Sequence, residues 1–182
     1  MGRRVLIVLF LAAAASIAGC RSDGGAANDN ALQVGSLRLP LPSGWRQVPP
    51  SSTMRAAQVV VPGSGGDAEL AVFFFGAGQG GNVEANLQRW MNQVIPEPGS
   101  SAQRETFENN GLRVTWVDVH GTLKPGQMGM GPSAAQPNSR LLAAVIEADG
   151  GPWFLKATGP DATLASQRDA FLALLHGAEV HR

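Results

Sequence analysis

Asp118 and His120 are a pair of residues whose types and spacing fit catalysis or metal binding. They lie two positions apart on a predicted strand, so both side chains should project from the same face. A carboxylate and an imidazole so placed act as a base and its orienting group, or as two ligands of a metal ion. No third ligand can be named, because His176 and His181 lie far along the chain. A polar pair on the solvent side of a strand end is the simpler interpretation and is favoured.

Met128 and Met130 form a Met-x-Met pattern inside a long segment rich in glycine and proline. Two thioethers at that spacing are soft ligands that suit Cu(I). No histidine or cysteine lies beside them, so a loop with scattered methionines is the favoured interpretation. The sequence therefore predicts no metal site and no cofactor.

Gly76, Gly78 and Gly81 complete a G-x-G-x-x-G pattern between a predicted strand and a predicted helix. In dinucleotide-binding proteins this pattern brings backbone amides and a helix N-terminus against a pyrophosphate. The context here differs, because a polar hairpin follows the helix where a buried parallel strand ending in an acidic residue is required. We therefore expect a flexible connection, with anion binding at the turn as the alternative.

Other catalytic patterns are absent from the sequence. It contains neither Gly-x-Ser-x-Gly nor Ser-x-x-Lys, and we assign no catalytic residue. The four tryptophans each fall on a periodic apolar face, which core packing explains. A carbohydrate or peptide platform would require two of them to be exposed together; they are Trp45, Trp90, Trp116 and Trp153.

The N-terminal segment has the organisation of a secretory signal peptide. Two arginines precede an apolar run over residues 5–15, which is too short for a permanent membrane span. The sequence Ile17-Ala18-Gly19-Cys20 then resembles the lipobox of bacterial lipoproteins. An ordinary secreted protein with a free cysteine is the alternative, but the single cysteine of the chain stands at the position that a lipobox requires.

The lipobox resemblance implies a location in the cell envelope. It implies cleavage before Cys20, a diacylglycerol on its thiol and an acyl group such as palmitate on its new amine. Several acyl chains anchor a protein stably, whereas one gives only marginal membrane binding. Arg21 follows the cysteine where aspartate would favour the inner membrane, so the resemblance favours the outer membrane if the organism has one. The domain would face the periplasm or the exterior.

Composition limits the function of the remaining chain. Lys plus Arg and Asp plus Glu each number 14 in 182 residues, so the formal net charge is zero. A nucleic-acid-binding protein needs a basic surface, so we expect no nucleic acid as a partner. A single cysteine excludes a disulfide framework.

Three regions follow from the patterning. Residues 1–19 are the predicted signal peptide, and residues 20–33 are the lipidated cysteine with a flexible, small and polar tether. Residues 34–182 contain no internal repeat and should form one globular α+β domain. Consecutive hairpin signals, including Asn110-Gly111, predict an antiparallel sheet of about six or seven strands with two packed helices, at about 82–94 and 162–176.

The order of these elements resembles the PsbP-like fold, which bacterial lipoproteins of the LpqN and DcrB type share. The resemblance covers residues 34–178 and depends on the turn Pro42-Ser43-Gly44-Trp45, the helix segment Ala85-Asn86-Leu87-Gln88-Arg89-Trp90, and a closing hairpin followed by a helix. It implies a tethered extracytoplasmic domain and supplies no catalytic residues to carry over.

We therefore expect a non-catalytic binding or accessory module of the envelope. Its partners would be the membrane, through Cys20, and an unidentified envelope protein or ligand. The expected binding surface is the 76–81 turn together with the 124–138 loop, because binding groups favour loops on a rigid scaffold. The alternatives are a metal or small-ligand carrier, or an envelope hydrolase that uses Asp118 and His120.

Overall fold

Segments in which apolar and polar residues alternate form strands, and segments with one apolar face at helical spacing form helices. The computed structural model describes residues 30–126 and 132–181. Its elements are β1 (Ala31–Val34), β2 (Leu37–Pro40), β3 (Arg46–Val48), β4 (Ala57–Val61), β5 (Ala68–Phe74), α1 (Val83–Met91), β6 (Val94–Pro96), β7 (Gln103–Asn109), β8 (Leu112–Leu123), β9 (Gln136–Glu147), β10 (Trp153–Pro160), α2 (Asp161–Ser166), α3 (Arg168–His176) and β11 (Glu179–Val180).

Two antiparallel sheets organise these strands. The larger sheet has eight strands in the order β3-β4-β5-β10-β9-β8, with β7 and β6 both paired to the outer edge of β8. The smaller sheet has the order β1-β2-β11. The predicted α+β class with an antiparallel sheet is confirmed. The predicted strand count was low, because β3, β6 and β11 are too short to show an alternating pattern.

The smaller sheet, α2 and α3 cover one face of the large sheet, which we call the β1–β2 face. Its core joins Leu37 and Phe171 to residues such as Leu142, Leu155 and Leu70 of the central strands. All five of these side chains are fully buried. This face holds most of the apolar area that stabilises the fold.

Helix α1 covers only half of the opposite face, which we call the α1 face. Its Leu87 and Trp90 pack on Val117, Leu141 and Val145, which belong to β8 and β9. The part of this face on β4 and β5 carries no helix in the described part of the chain. On β10, α1 reaches Phe154, whose ring lies 6.1 Å from that of Trp90. The two halves therefore differ in their exposure to solvent.

Helix α1 begins as predicted and ends earlier. The Asn82 side chain accepts a hydrogen bond from the Ala85 amide at 3.1 Å, as expected for an N-cap. The helix ends at Met91, and Val94 belongs instead to β6, where it pairs with Leu123. The apolar spacing that predicted a helix to residue 94 reflects a buried strand residue after the helix end.

The predicted boundary between tether and domain was wrong. The tether predicted over residues 20–33 reaches too far, because Ala31–Val34 form β1 and Leu32 is fully buried. The rest of it, residues 20–29, and the signal peptide lie outside the described residues. Strand β1 forms a hairpin with β2, and the hairpin turns at Gly35 with φ 61°.

The predicted C-terminal helix is divided at Gln167 into α2 and α3. The Ser166 hydroxyl donates to the Thr163 carbonyl at 2.8 Å, a local bond that competes with continuous helix. Gln167 itself accepts a hydrogen bond from Trp45 Nε1 at 2.9 Å. The break thus fixes the helix pair to the core.

The predicted Asn-Gly hairpin is confirmed. Asn110 and Gly111 have φ values of 51° and 74°, which a two-residue turn of this kind requires. The tip also bonds the end of α3, because the side chain of Asn109 donates to the His176 carbonyl. Asn110 donates to the Ala178 carbonyl at 3.0 Å.

Over the ranges 30–126 and 132–181, the structure contains no helix with the length and apolar character needed to cross a membrane.

Candidate functional site

Asp118 is buried in an ion network on the β1–β2 face. Its side chain is 2% exposed and accepts two hydrogen bonds from Arg140, at 2.7 and 2.8 Å. Arg168 donates a third at 3.0 Å, and Arg140 also donates to Asp161 at 3.0 Å. The hydrogen bond from Arg140 to Asp118 raises the pKa of this guanidinium. Both carboxylate oxygens of Asp118 are therefore occupied by arginine donors.

His120 shares the face of Asp118, as the spacing predicted, but has a different partner. Its Nδ1 lies 3.8 Å from a carboxylate oxygen of Glu97. The geometry does not make Asp118 and His120 a base and its orienting group, so it offers no support for the hydrolase alternative. No group of three His, Cys, Asp or Glu residues that could hold a metal ion occurs in the described ranges.

The two predicted binding loops lie at opposite ends of the large sheet. Phe74, before the 76–81 turn, pairs with Trp153, whereas Leu123, before the other loop, pairs with Gln136. That connection covers residues 124–135, because β9 begins at Gln136. The two loops thus do not share one end of the sheet, and ligand binding by either of them stays a prediction. Met128, Met130 and Cys20 lie outside the described residues.

The glycines of the 76–81 turn serve its local shape. Gly76, Gly78, Gly80 and Gly81 all have positive φ values. A Cβ at Gly80 would lie 2.5 Å from the Phe154 ring, so this turn runs directly over an aromatic side chain. The turn joins antiparallel β5 to α1, which is not the parallel arrangement of a dinucleotide site.

The open half of the α1 face contains a polar site that the sequence analysis missed. Lys156 stands in the middle of β10, between Ala71 of β5 and Ala143 of β9. The small alanine side chains leave room for its aliphatic stem along the sheet. Its ammonium donates to Gln93 Oε1, just beyond α1, at 3.2 Å. This is the one acceptor that the described residues give to its three N–H groups.

Three side chains of the neighbouring strands complete one wall of this site. Arg55 Nη1 lies 2.7 Å from Glu69 Oε1 and 2.9 Å from Gln58 Oε1. Gln58 also donates to Glu69 at 2.7 Å. The Glu69 carboxylate therefore bonds Arg55 and Gln58, and no hydrogen bond joins it to Lys156 in the described part of the chain.

The electrostatic balance at Lys156 is positive. Burial lowers the pKa of Lys156, and the positive charges of Arg55 and Arg89 lower it further, against an opposing effect of Glu69. Two further cations therefore act on Lys156 against one carboxylate. An anion bound here would offset both the desolvation and the mutual repulsion of the cations.

Aromatic rings lie on the same face of β5 and β10, toward the 76–81 turn. Phe73 and Phe75 stack with centroids 6.4 Å apart, and Phe75 lies 6.0 Å from Phe154. Phe75 is 43% exposed, one of three large apolar residues exposed in the described ranges. Beyond the polar end, a cavity of about 630 Å³ adjoins Glu69 and Thr158. We call the surface formed by Arg55, Gln58, Glu69, Phe73, Phe75, Arg89, Gln93 and Lys156 the Lys156 groove.

One feature of the sequence could have indicated the Lys156 groove. The chain has only two lysines, and Lys156 interrupts the apolar run Trp153-Phe154-Leu155. A cation inside such a strand indicates either a structural partner or a ligand. Its neighbours come from β4, β5 and α1, and local spacing could not supply them.

The fold is shared with solved structures of low sequence identity. No family model matches the chain, and no curated protein is similar to it in sequence. LpqN of Mycobacterium tuberculosis, described as involved in cell envelope biogenesis, superposes with a TM-score of 0.50 at 13% identity, over 80% of this chain and 83% of LpqN. Cyanobacterial PsbP from Synechocystis gives 0.51 at 13% identity, over 80% of this chain and 87% of its own. These similarities confirm the expected PsbP-like fold.

Proposed function

We propose that this chain is a lipid-anchored protein of the bacterial cell envelope, and that its domain binds an anionic group in the Lys156 groove. The anionic group is a carboxylate or a phosphate on an envelope ligand or partner. The protein acts as a binding or accessory module without catalysis of its own. In an organism with two membranes, the anchor lies in the outer one.

Two observations support the location. The sequence Ile17-Ala18-Gly19-Cys20 has the pattern of a lipobox, and its cysteine is the only one in the chain. The fold is also that of LpqN, a protein involved in cell envelope biogenesis.

The observation that carries the binding function is the position of Lys156. A lysine in the floor of a sheet loses hydration and should find acceptors for its N–H groups. Here the protein supplies Gln93, while Arg55 and Arg89 add positive charge. By contrast, Asp118 on the other face has arginine donors on both oxygens. The Lys156 groove is thus the polar cluster that an external anion would complete.

Lipidation is tested on the full chain expressed in a diderm bacterium. We expect the intact mass of the membrane-extracted protein to show loss of residues 1–19 and addition of acyl groups at Cys20. The variant Cys20→Ser should lose both the acylation and the membrane retention. An unmodified soluble chain, or unchanged retention of Cys20→Ser, would contradict the anchor.

Anion binding is tested by titrating the mature chain in detergent with inorganic phosphate and following backbone amide NMR shifts. We expect saturable shifts on β10 beside Lys156, and their loss in Lys156→Met. Lys124→Met is the matched control, because Lys124 is the other lysine and also bonds the end of α1, at the Asn92 carbonyl. Equal affinity in all three proteins, or no saturable shift, would refute the groove as the site.

A further inference from the structure

Strand β7 is an edge of the large sheet with one open side. It pairs with β8 along its whole length, and no described strand pairs with its other side. Gln103 to Thr106 and Glu108 are all exposed. An open edge of seven residues presents backbone donors and acceptors to any further strand.

The hairpin turn determines which backbone groups point outward. In a two-residue hairpin, the residues that flank the turn form a hydrogen-bonded pair, here Asn109 with Leu112. Hydrogen-bonded pairs recur at every second residue along an antiparallel ladder. The amides and carbonyls of Arg104, Thr106 and Glu108 therefore face away from β8.

Side-chain charges along this edge alternate in sign across the sheet. On the α1 face, Glu147 of β9 opposes Arg113 of β8, at 3.8 Å, and Arg113 opposes Glu108 of β7. The row ends there, because Glu108 forms no ion pair within the described residues. Arg104, on the same face of β7, contacts Glu84 of α1 at 2.6 Å.

We propose that β7 pairs antiparallel with β7 of a second copy of this chain, about a two-fold axis at Thr106. This register overlaps all seven residues and places Arg104 of each copy opposite Glu108 of the other. It also uses the three residues whose backbone groups face outward. The charge row then continues through Glu108 to Arg104 and Glu84 of the second copy.

The same charges favour one register of β7 on β7 over the others. Charged side chains on an edge discourage unspecific pairing, since most registers leave them unmatched or set like charges against each other. A shift by two residues places Glu108 opposite the neutral Thr106, or opposite Ala102 beyond the end of β7. The two-fold register at Thr106 matches both charges at once.

Crosslinking of the full chain in cells tests this interface. We expect Thr106→Cys to give a covalent dimer with a short bismaleimide, because residue 106 of each copy lies on the axis. Gln47→Cys is the matched control, since Gln47 is exposed on β3 at the opposite edge of the sheet. The parent chain, which keeps Cys20, provides the background. A dimer yield for Thr106→Cys no higher than for Gln47→Cys would overturn the proposal.

Charge reversal in the Thr106→Cys background tests the register. Glu108→Arg alone and Arg104→Glu alone should each lower the yield about tenfold, because each sets like charges opposite one another in two symmetric pairs. Copies of the two single variants, co-expressed with different tags, should crosslink to each other and not to themselves. Glu84→Gln controls for the lost contact of Arg104 and should keep the dimer. Equal self-crosslinking of the single variants, or no rescue on mixing, would refute this pairing.

Discussion

Two polar clusters lie on opposite faces of the large sheet and differ in how far the protein satisfies them. On the β1–β2 face, Asp118 and Asp161 balance Arg140 and Arg168, and the bonds between them are 2.7 to 3.0 Å. In the Lys156 groove, Glu69 is the one carboxylate that acts on Lys156, against the positive charges of Arg55 and Arg89. A balanced, fully bonded cluster fixes helices to a sheet, whereas an unbalanced one keeps capacity for a ligand.

The two clusters also differ in how far helices cover them. Arg168 belongs to α3 and lies over the Trp116 ring at 4.9 Å, so the Asp118 cluster is closed by a helix. The Lys156 groove lies beside α1 and extends onto β4 and β5, which no described helix covers on this face. The Asp118 carboxylate is thus shielded at 2% exposure, whereas Arg55 and Glu69 of the second cluster remain 20% and 39% exposed.

The largest expected effect is the loss of the closed cluster. Asp118→Asn leaves Arg140 and Arg168 partly buried without their shared carboxylate. Removing one partner from a buried ion pair costs about 3–5 kcal/mol, and urea unfolding at pH 7 measures it.

Asp169→Asn is the control for this prediction. Asp169 also pairs with Arg168, but it is 98% exposed and the two charged groups are 3.9 Å apart, so this ion pair is weak. We expect it to change the free energy of unfolding by less than about 1 kcal/mol. An equally small effect of Asp118→Asn would mean that the closed cluster does not hold the fold.

A smaller effect of opposite sign is expected at Lys156. Lys156→Met replaces a desolvated cation by an apolar side chain of similar length, so it should raise the free energy of unfolding by about 1 kcal/mol at pH 7. Thermal unfolding of both proteins measures the difference. A loss of more than about 2 kcal/mol would identify Lys156 as structural, like Asp118.

The advantage of Lys156→Met should shrink as the pH rises. The pKa of Lys156 in the folded state is below its ordinary value of 10.5. Between these two values the unfolded chain binds more protons than the folded one, so the wild type gains stability with increasing pH. Unfolding measured from pH 7 to pH 10 should show the two proteins converge, and a constant difference would contradict burial of a charged Lys156.

The smallest effect is expected from Glu69→Gln, which makes the open cluster more positive. It removes the one carboxylate of the Lys156 groove and keeps a side chain that Gln58 and Arg55 can still contact. One added net charge at about 8 Å in water contributes about 0.5 kcal/mol, so phosphate affinity should rise roughly twofold. NMR titration measures it, and a decrease in affinity would show that Glu69 organises the site.

Local patterns predicted the parts of the fold that depend on neighbouring residues. Asn110-Gly111 identified its hairpin, and Asn82 identified the start of α1, because backbone preference and capping act over a few residues. The alternation that placed Asp118 and His120 on one face was likewise correct. Short strands such as β6 and β11 gave no signal, because tertiary pairing alone defines them.

The candidate site could not be predicted, because it is assembled across the sheet. Lys156 meets Gln93, which is 63 positions away in the chain. Asp118 accepts a hydrogen bond from Arg168, which is 50 positions away. Because this carboxylate is already bonded to arginine, it is not free to act as a base. The type of a residue suggested chemistry in both cases, and only its distant partners decided between structure and binding.

The pairing of β2 with β11 has a consequence for the order of folding. Arg38 and Leu37, near the start of the domain, pair with Glu179 and Val180 at its end. Trp45 likewise bonds Gln167, 122 positions away. Contacts of such long range form slowly, and these cannot form before residues 167 to 180 have been synthesised. The first strands of the domain would therefore remain without their partners while the intervening residues, about 120 of them, are being made.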